Sequence, residues 1–130
     1  HMLELASSYV ERLTGERYTL DILGINKGVA LINNNGERLE LKFWSSGLAD
    51  QVYLALRLAL AKVFSYQVES LPIILDDILV RFDENRQRSA LELLAELGKN
   101  QQIWLFTCQR SVYDMAQSIM GIDCHRLSRS

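Results

Sequence analysis

Proline is almost missing from this chain: Pro72 is the single one in 130 residues. No stretch rich in Gly, Ser or Pro stands where a linker would, so a second domain is not expected. Cysteine is also scarce. Cys108 and Cys124 lack metal-ligand spacing and read as reduced, structural thiols of a cytoplasmic protein, not as a disulfide framework. No apolar run approaches the roughly 20 residues of a membrane span, and no signal peptide is expected. Excess positive charge is lacking too. Fourteen Lys and Arg stand against sixteen Asp and Glu, for a net charge of −2 and a pI near 5.7. A nucleic-acid footprint over the whole chain is therefore excluded, and only a local patch is left open. Internal repeats and low-complexity segments are absent. A phosphate-cradling loop, Gly-x-x-x-x-Gly-Lys-Ser/Thr, is missing as well. The one Gly-Lys pair is Gly98-Lys99, with Leu93 where the first Gly is needed and Asn100 where Ser or Thr is needed. That pair also ends a helical pattern, whereas a phosphate loop starts one.

What is present is a globular composition, 48% hydrophobic and 23% charged, long enough for one domain with a real core. His1-Met2 reads as a cloning scar, so residues 3–130 form the single expected domain and the natural chain is expected to begin earlier. Leu3 to Leu13 has helical spacing (Leu3, Ala6, Val10, Leu13) and stops at Gly15. Tyr18–Ile22 and Gly28–Ile32 read as strands. Asn33-Asn34-Asn35-Gly36 is a hairpin turn, because Asn and Gly tolerate positive φ, and Leu39, Leu41 and Phe43 alternate on the returning strand. The period then changes. Leu48 to Phe64 predicts a helix started by Ser45-Ser46-Gly47. Val52, Leu56, Ala59, Leu60 and Val63 form its stripe, and Leu54, Leu58 and Ala61 widen it to burial on most sides. Leu71–Leu75 predicts a buried strand, Glu84–Leu97 a helix stopped by Gly98, and Gln102–Thr107 a strand. Ser111 is expected to cap a helix running to about Met120, and Cys124–Leu127 to form a last short strand. Strand and helix alternation in the second half implies a parallel sheet with right-handed crossovers.

The chemistry concentrates at strand ends. Asp76 and Asp77 close the run Leu71-Pro72-Ile73-Ile74-Leu75, where open α/β sheets place their ligand sites. Neighbours on a strand point to opposite faces, so the two carboxylates suit two jobs. One can hold magnesium, which takes oxygen ligands and keeps several waters, and the other can orient a water. Alternatively, they are two acids in a surface loop. Ser45-Ser46-Gly47 precedes a long helix whose N-terminus carries unpaired N–H groups and roughly +0.5 of partial charge, which suits a phosphate as well as ordinary capping. Phe106-Thr107-Cys108-Gln109 leaves a second strand, and parallel pairing would bring Thr107 or Gln109 near Asp77.

Taken in order, these motifs resemble the C-terminal half of an ABC-type ATPase head of the SMC, RecF and RecN-like branch. The stretch from Trp44 to Ala61, which opens Trp44-Ser45-Ser46-Gly47-Leu48-Ala49-Asp50-Gln51-Val52, together with Leu75-Asp76-Asp77 and Leu105-Phe106-Thr107-Cys108, looks most like the YhaN-type large bacterial ATPases. The likeness is good from Leu39 to about Ser111. It implies a partial P-loop NTPase fold, α/β, with a parallel sheet, flanking helices and an N-terminal antiparallel hairpin. It also implies site residues. Ser45, Ser46 and Gly47 match the signature turn that contacts the γ-phosphate held by the opposite subunit. Asp76 matches the Walker B acid on magnesium, Asp77 stands at the catalytic acid, and Asp83 matches the D-loop acid at the dimer interface. Gln109 occupies the switch position, usually His, and departs from it because Gln carries no proton. Arg57 either pairs with an acid across the dimer or is a solvated helix charge.

The implied cofactors are ATP and Mg²⁺ in the full-length protein, with none expected on this chain alone, since the phosphate loop belongs to an N-terminal lobe. That lobe is set apart by a long coiled-coil or helical insertion returning at Leu3–Leu13. The partners implied by the resemblance are that lobe, a second head and DNA in repair or processing, with a nuclease subunit as a further option. Alone, the chain is expected to be catalytically inactive and to expose an orphan sheet edge or apolar face, or to self-associate. Two other readings stand beside this one: a catalytically silent dimerisation or binding module, and a metal-dependent nuclease using Asp50, Asp76, Asp77 and Asp83.

Overall fold

The structure, a computed structural model, describes residues 1–67 and 71–127. Helix α1 (Met2–Leu13) is followed by strands β1 (Tyr18–Leu20), β2 (Ala30–Asn33) and β3 (Arg38–Glu40). Helix α2 (Ser46–Gln67), strand β4 (Ile73–Asp76), helix α3 (Glu84–Leu97), strand β5 (Ile103–Phe106) and helix α4 (Arg110–Gln117) complete it. β1, β2 and β3 form an antiparallel sheet in that order, and β4 pairs with β5 in parallel across α3. The mixed α/β class, the three N-terminal strands and both strand arrangements are those expected.

Each element has a local cause. α1 buries Ala6, Tyr9, Val10 and Leu13 at helical spacing. It ends where the Thr14 hydroxyl donates to the Val10 carbonyl and Gly15 and Glu16 turn left-handed. Burial holds the Tyr9 phenol above its usual range, with Tyr66 and Glu96 adding to the effect. The β2–β3 turn is closed by the Asn33 side chain, whose Oδ1 accepts from the N–H groups of Asn35 and Glu37, both at 2.9 Å, while Gly36 supplies φ of +78°. α3 is capped by Asp83, whose carboxylate accepts from the Arg86 N–H at 2.8 Å. One core joins α1, α2, both sheets, α3 and α4 through Leu13, Leu31, Leu58, Leu75, Leu91 and Val112.

Several expectations are corrected. The returning strand stops at Glu40, and Leu41–Phe43 is a 3₁₀ turn with Leu41 and Phe43 exposed. The turn brings the chain round to α2, with the Trp44 indole donating to the Leu39 carbonyl at 3.0 Å. α2 is not buried on most sides. Val52, Leu54, Ala55, Leu58 and Ala59 face the core, while Tyr53, Arg57, Leu60 and Phe64 face outward. β4 is not buried on both faces: Ile73 and Leu75 point inward, Ile74 and Asp76 outward. α4 starts after Gln109, not at a Ser111 cap, and ends at Gln117. Cys124–Leu127 forms no strand. Asp21 and Arg38 pin the first sheet's end by an ion pair of 2.8 Å. The Arg38 guanidinium, followed by the Gly24 N–H, holds the Asp21 carboxyl below its ordinary range.

Candidate functional site

β4 sets the geometry of the acids. Register pairs Ile74 with Trp104 and Asp76 with Phe106, so these four side chains share one face of the parallel sheet. No described element covers that face: Ile74, Trp104 and Phe106 are 56%, 47% and 45% exposed, and Asp76 is exposed beside them. The next residue leaves the strand. Asp77 takes a left-handed backbone, φ 51°, which Asp tolerates better than most residues. Its N–H donates to the Phe106 carbonyl at 2.7 Å, extending the ladder by one bond. Its carboxylate Oδ1 accepts from the Thr107 hydroxyl at 3.2 Å. The adjacent acids therefore do occupy different surroundings. Asp76 stands free on the open face, and Asp77 is half-buried and tied to the β5 exit.

The turn before α2 is built as a cap. Ser45 Oγ accepts from the Leu48 N–H at 3.1 Å, and Ser46 opens the helix. Gly47 lies against the Arg81 backbone carbonyl: a β-carbon there would stand 2.8 Å from that oxygen, so only glycine fits without displacement. The α2 start and the β4–α3 loop are thus packed backbone to backbone, and Arg81 adds an ion pair with Asp50 at 3.5 Å.

Two clefts, each of about 370 Å³, lie on either side of Arg81. One runs between α2 and the β4–α3 loop and takes in Asp50, Tyr53, Arg57, Asp77 and Val80. The other holds Ser45, Gly47 and Asp83 beside Arg17, Phe43 and Arg86. The expected site residues are accordingly distributed: Asp77 in the first cleft, Ser45, Gly47 and Asp83 in the second, Asp76 on the sheet face. Ser46 is exposed at the helix start. Gln109 stands at the N-terminal boundary of α4, makes no capping bond, and has its Oε1 buried without a hydrogen-bond partner among the described residues. Arg57 is exposed on the outer side of α2 and is aimed at no acid among the described residues; its guanidinium donates to the Ile74 carbonyl at 2.9 Å, on the edge of β4 away from β5. Arg81 was not legible as a site residue from sequence. Its place in the Phe82-Asp83 turn was the sole hint, since Asp50 is 31 positions away.

The acids suit one kind of metal site and not another. Magnesium takes one or two carboxylates from protein and fills its shell with phosphate oxygens and waters, which the exposed Asp76 carboxylate fits. An all-protein metal centre is a different matter: no group of three metal-ligating side chains converges among the described residues. Asp50 is paired with Arg81 and Asp83 caps α3, so the four-carboxylate nuclease arrangement does not form.

Comparison with known proteins bears on the fold. No family model matches the chain. The uncharacterized protein YhaN of Bacillus subtilis (strain 168) is 33% identical over 120 residues, 90% of this chain. The SMC head domain of Thermotoga maritima superposes with a TM-score of 0.68 at 20% identity, covering 88% of this chain. The Pyrococcus furiosus Smc head, solved with an extended coiled coil and bound to the C-terminal domain of ScpA, gives 0.68 at 15% identity over 88%. The fold is that of part of an SMC head domain. The chain spans only part of each relative: 12% of YhaN, 40% of the Thermotoga SMC head and 30% of the Pyrococcus one. Among the described residues, no helix is long and apolar enough to cross a membrane.

Proposed function

We propose that this chain is the acid-bearing C-terminal lobe of an ATP-binding and hydrolysing head, which works as a dimer of heads in a cytoplasmic DNA-repair or DNA-processing ATPase. The observation that carries this reading is the uncovered face of β4 and β5. A parallel sheet is normally covered on both faces, yet here Ile74, Trp104 and Phe106 are open around Asp76. A second lobe bearing the phosphate loop would cover that face and bring phosphates to Asp76. Asp76 would hold the magnesium ion, whose chemistry is to neutralise developing phosphate charge. Asp77, oriented by backbone and hydroxyl contacts, would position the attacking water. Ser45, Ser46 and Gly47 would present the α2 N-terminus to nucleotide on a second head, and Asp83 would lie at the contact between heads.

The SMC relatives support the assembly. One solved SMC ATPase, matched over 95% of this chain at TM-score 0.68 and 16% identity, is described in terms of ATP-driven dimerisation and DNA-stimulated activation, and others are bound to ScpA. A head that closes on ATP, answers to DNA and takes a protein partner such as a nuclease subunit is the corresponding reading here. A second reading, a silent dimerisation module, draws on Gln109 at the switch position, where Gln cannot carry a proton. Turnover separates the two. In the head assembled from this chain and a phosphate-loop lobe, Asp77→Asn is expected to lower kcat by about 100-fold or more. An assembled head that binds ATP but turns it over equally slowly with Asp77 or Asn favours the silent module.

A further inference from the structure

We infer that Thr107 is a positioning residue that holds the Asp77 carboxylate and couples it to the backbone of the switch turn. The inference rests on the ATPase reading and adds a part to it. Three bonds converge on this point. The Thr107 hydroxyl donates its proton to Asp77 Oδ1 at 3.2 Å. The same oxygen accepts from the Gln109 N–H at 3.0 Å. The Asp77 N–H donates to the Phe106 carbonyl at 2.7 Å. A hydroxyl has one proton and two lone pairs, so this pairing fixes its sense: the proton is committed to the carboxylate because the amide N–H can be met only by a lone pair.

The consequence is a chain running Gln109 N–H, Thr107 hydroxyl, Asp77 carboxylate, in which movement at the switch turn moves the acid. The link is needed because Asp77 has left the strand. With φ of 51° its side chain has no regular neighbour to fix its rotamer, and the Thr107 bond supplies that constraint. It also bears on the missing histidine. The Gln109 side chain does not reach Asp77, and its Oε1 is buried without a partner among the described residues. The connection between switch and acid runs through the Gln109 main chain, which any residue at position 109 provides. Side-chain identity at 109 is thereby separated from the positioning of Asp77. Thr107 touches no reacting atom in this scheme.

The test is steady-state ATP hydrolysis by the assembled head, comparing Thr107→Val, Thr107→Ala, Thr107→Ser and Asp77→Asn. Val keeps the shape and removes the hydroxyl, Ala removes both, and Ser keeps the hydroxyl. The expected result is a kcat lowered about 10- to 100-fold in Val and Ala, the scale of losing a hydrogen bond to a charged group. KM for ATP should stay within about twofold, and Ser should hold kcat within about threefold of the parent. A merely structural role would move KM or the unfolding midpoint along with kcat. Full kcat in Val or Ala, or a loss that Ser shares, overturns the inference. If either variant fails to assemble, the other reads the same loss, and failure of both with an intact Ser variant is decided by the unfolding midpoint of the unassembled chains: a drop there assigns Thr107 to folding and overturns the positioning role. Asp77→Asn marks the separate failure: no effect there rejects the ATPase reading itself, whatever Thr107 does.

Discussion

Asp76 and Asp77 differ by one position and by almost everything around them. Asp76 has no tie among the described residues and looks onto an apolar sheet face, whereas Asp77 is bound to β5 by its backbone and its side chain. The alternation of strand side chains made the divergence legible in the sequence. The left-handed turn that produces it was not, because Asp is compatible with several turn conformations and nothing local selects one. Gly47 is similar: its glycine reads as an ordinary helix start, and only the fold reveals the Arg81 carbonyl against it. Gly47→Ala is expected to displace the β4–α3 loop and lower stability by about 1–3 kcal/mol, measured by denaturant unfolding, with an unchanged midpoint contradicting the contact. At the far end of the molecule, Asp21 provides a pH test. Its carboxyl is held below the ordinary value by Arg38 and the Gly24 N–H, so its stabilising contribution is complete above about pH 4. That contribution falls away as pH drops through the lowered folded value. Asp21→Asn should therefore flatten part of the acid limb of a stability–pH curve, and an acid limb identical to the parent's would remove the pair from the account.

Among the elements, α3 was read from sequence with its bounds intact because Asp83 and Gly98 frame it, and Asp83 does cap it. The hairpin turn was legible through Asn33 and Gly36. α2 was legible as a helix and misread in its orientation. Leu and Ala occur on every side of it, so the spacing admits several stripes, and packing against α1 selects the Val52, Ala55, Leu58, Ala59 side. The contrast is measurable: Leu58→Ala should cost about 2–5 kcal/mol, whereas Leu60→Ala, at a position 59% exposed, should stay within about 0.5 kcal/mol. Equal losses at the two positions would contradict the orientation. β3 was overextended because Leu41 and Phe43 keep a strand's alternation while the chain turns away to reach α2. The last proposed strand failed: Cys124-His125-Arg126-Leu127 has no period-two alternation to hold it as a strand. The approach of Thr107 to Asp77 was legible from the parallel pairing of the two strands, while the Arg57 bond to the edge of β4 was not, since it joins α2 to a strand 17 residues on.

At the scale of the whole molecule, the apolar composition finds its explanation in a face that remains uncovered. Ile74, Trp104 and Phe106 on the sheet, with Tyr53, Leu60 and Phe64 on the outer side of α2, give the chain more exposed large hydrophobics than folding alone requires. The chain on its own is expected to self-associate or to bind an apolar-surface dye, and Trp104→Glu with Phe106→Glu should reduce both. A monomer with no dye-accessible surface would count against the uncovered face as an interface. The central claim is that this chain contributes the acids and another lobe contributes the phosphate loop of one ATP site. Its most direct test is the ATP hydrolysis rate as this chain is titrated into a separately prepared phosphate-loop lobe. The account predicts negligible turnover by either component and a saturable rise that levels at equal amounts of the two. Hydrolysis by this chain alone, or a stable complex of the two lobes with no rise in turnover, would contradict it.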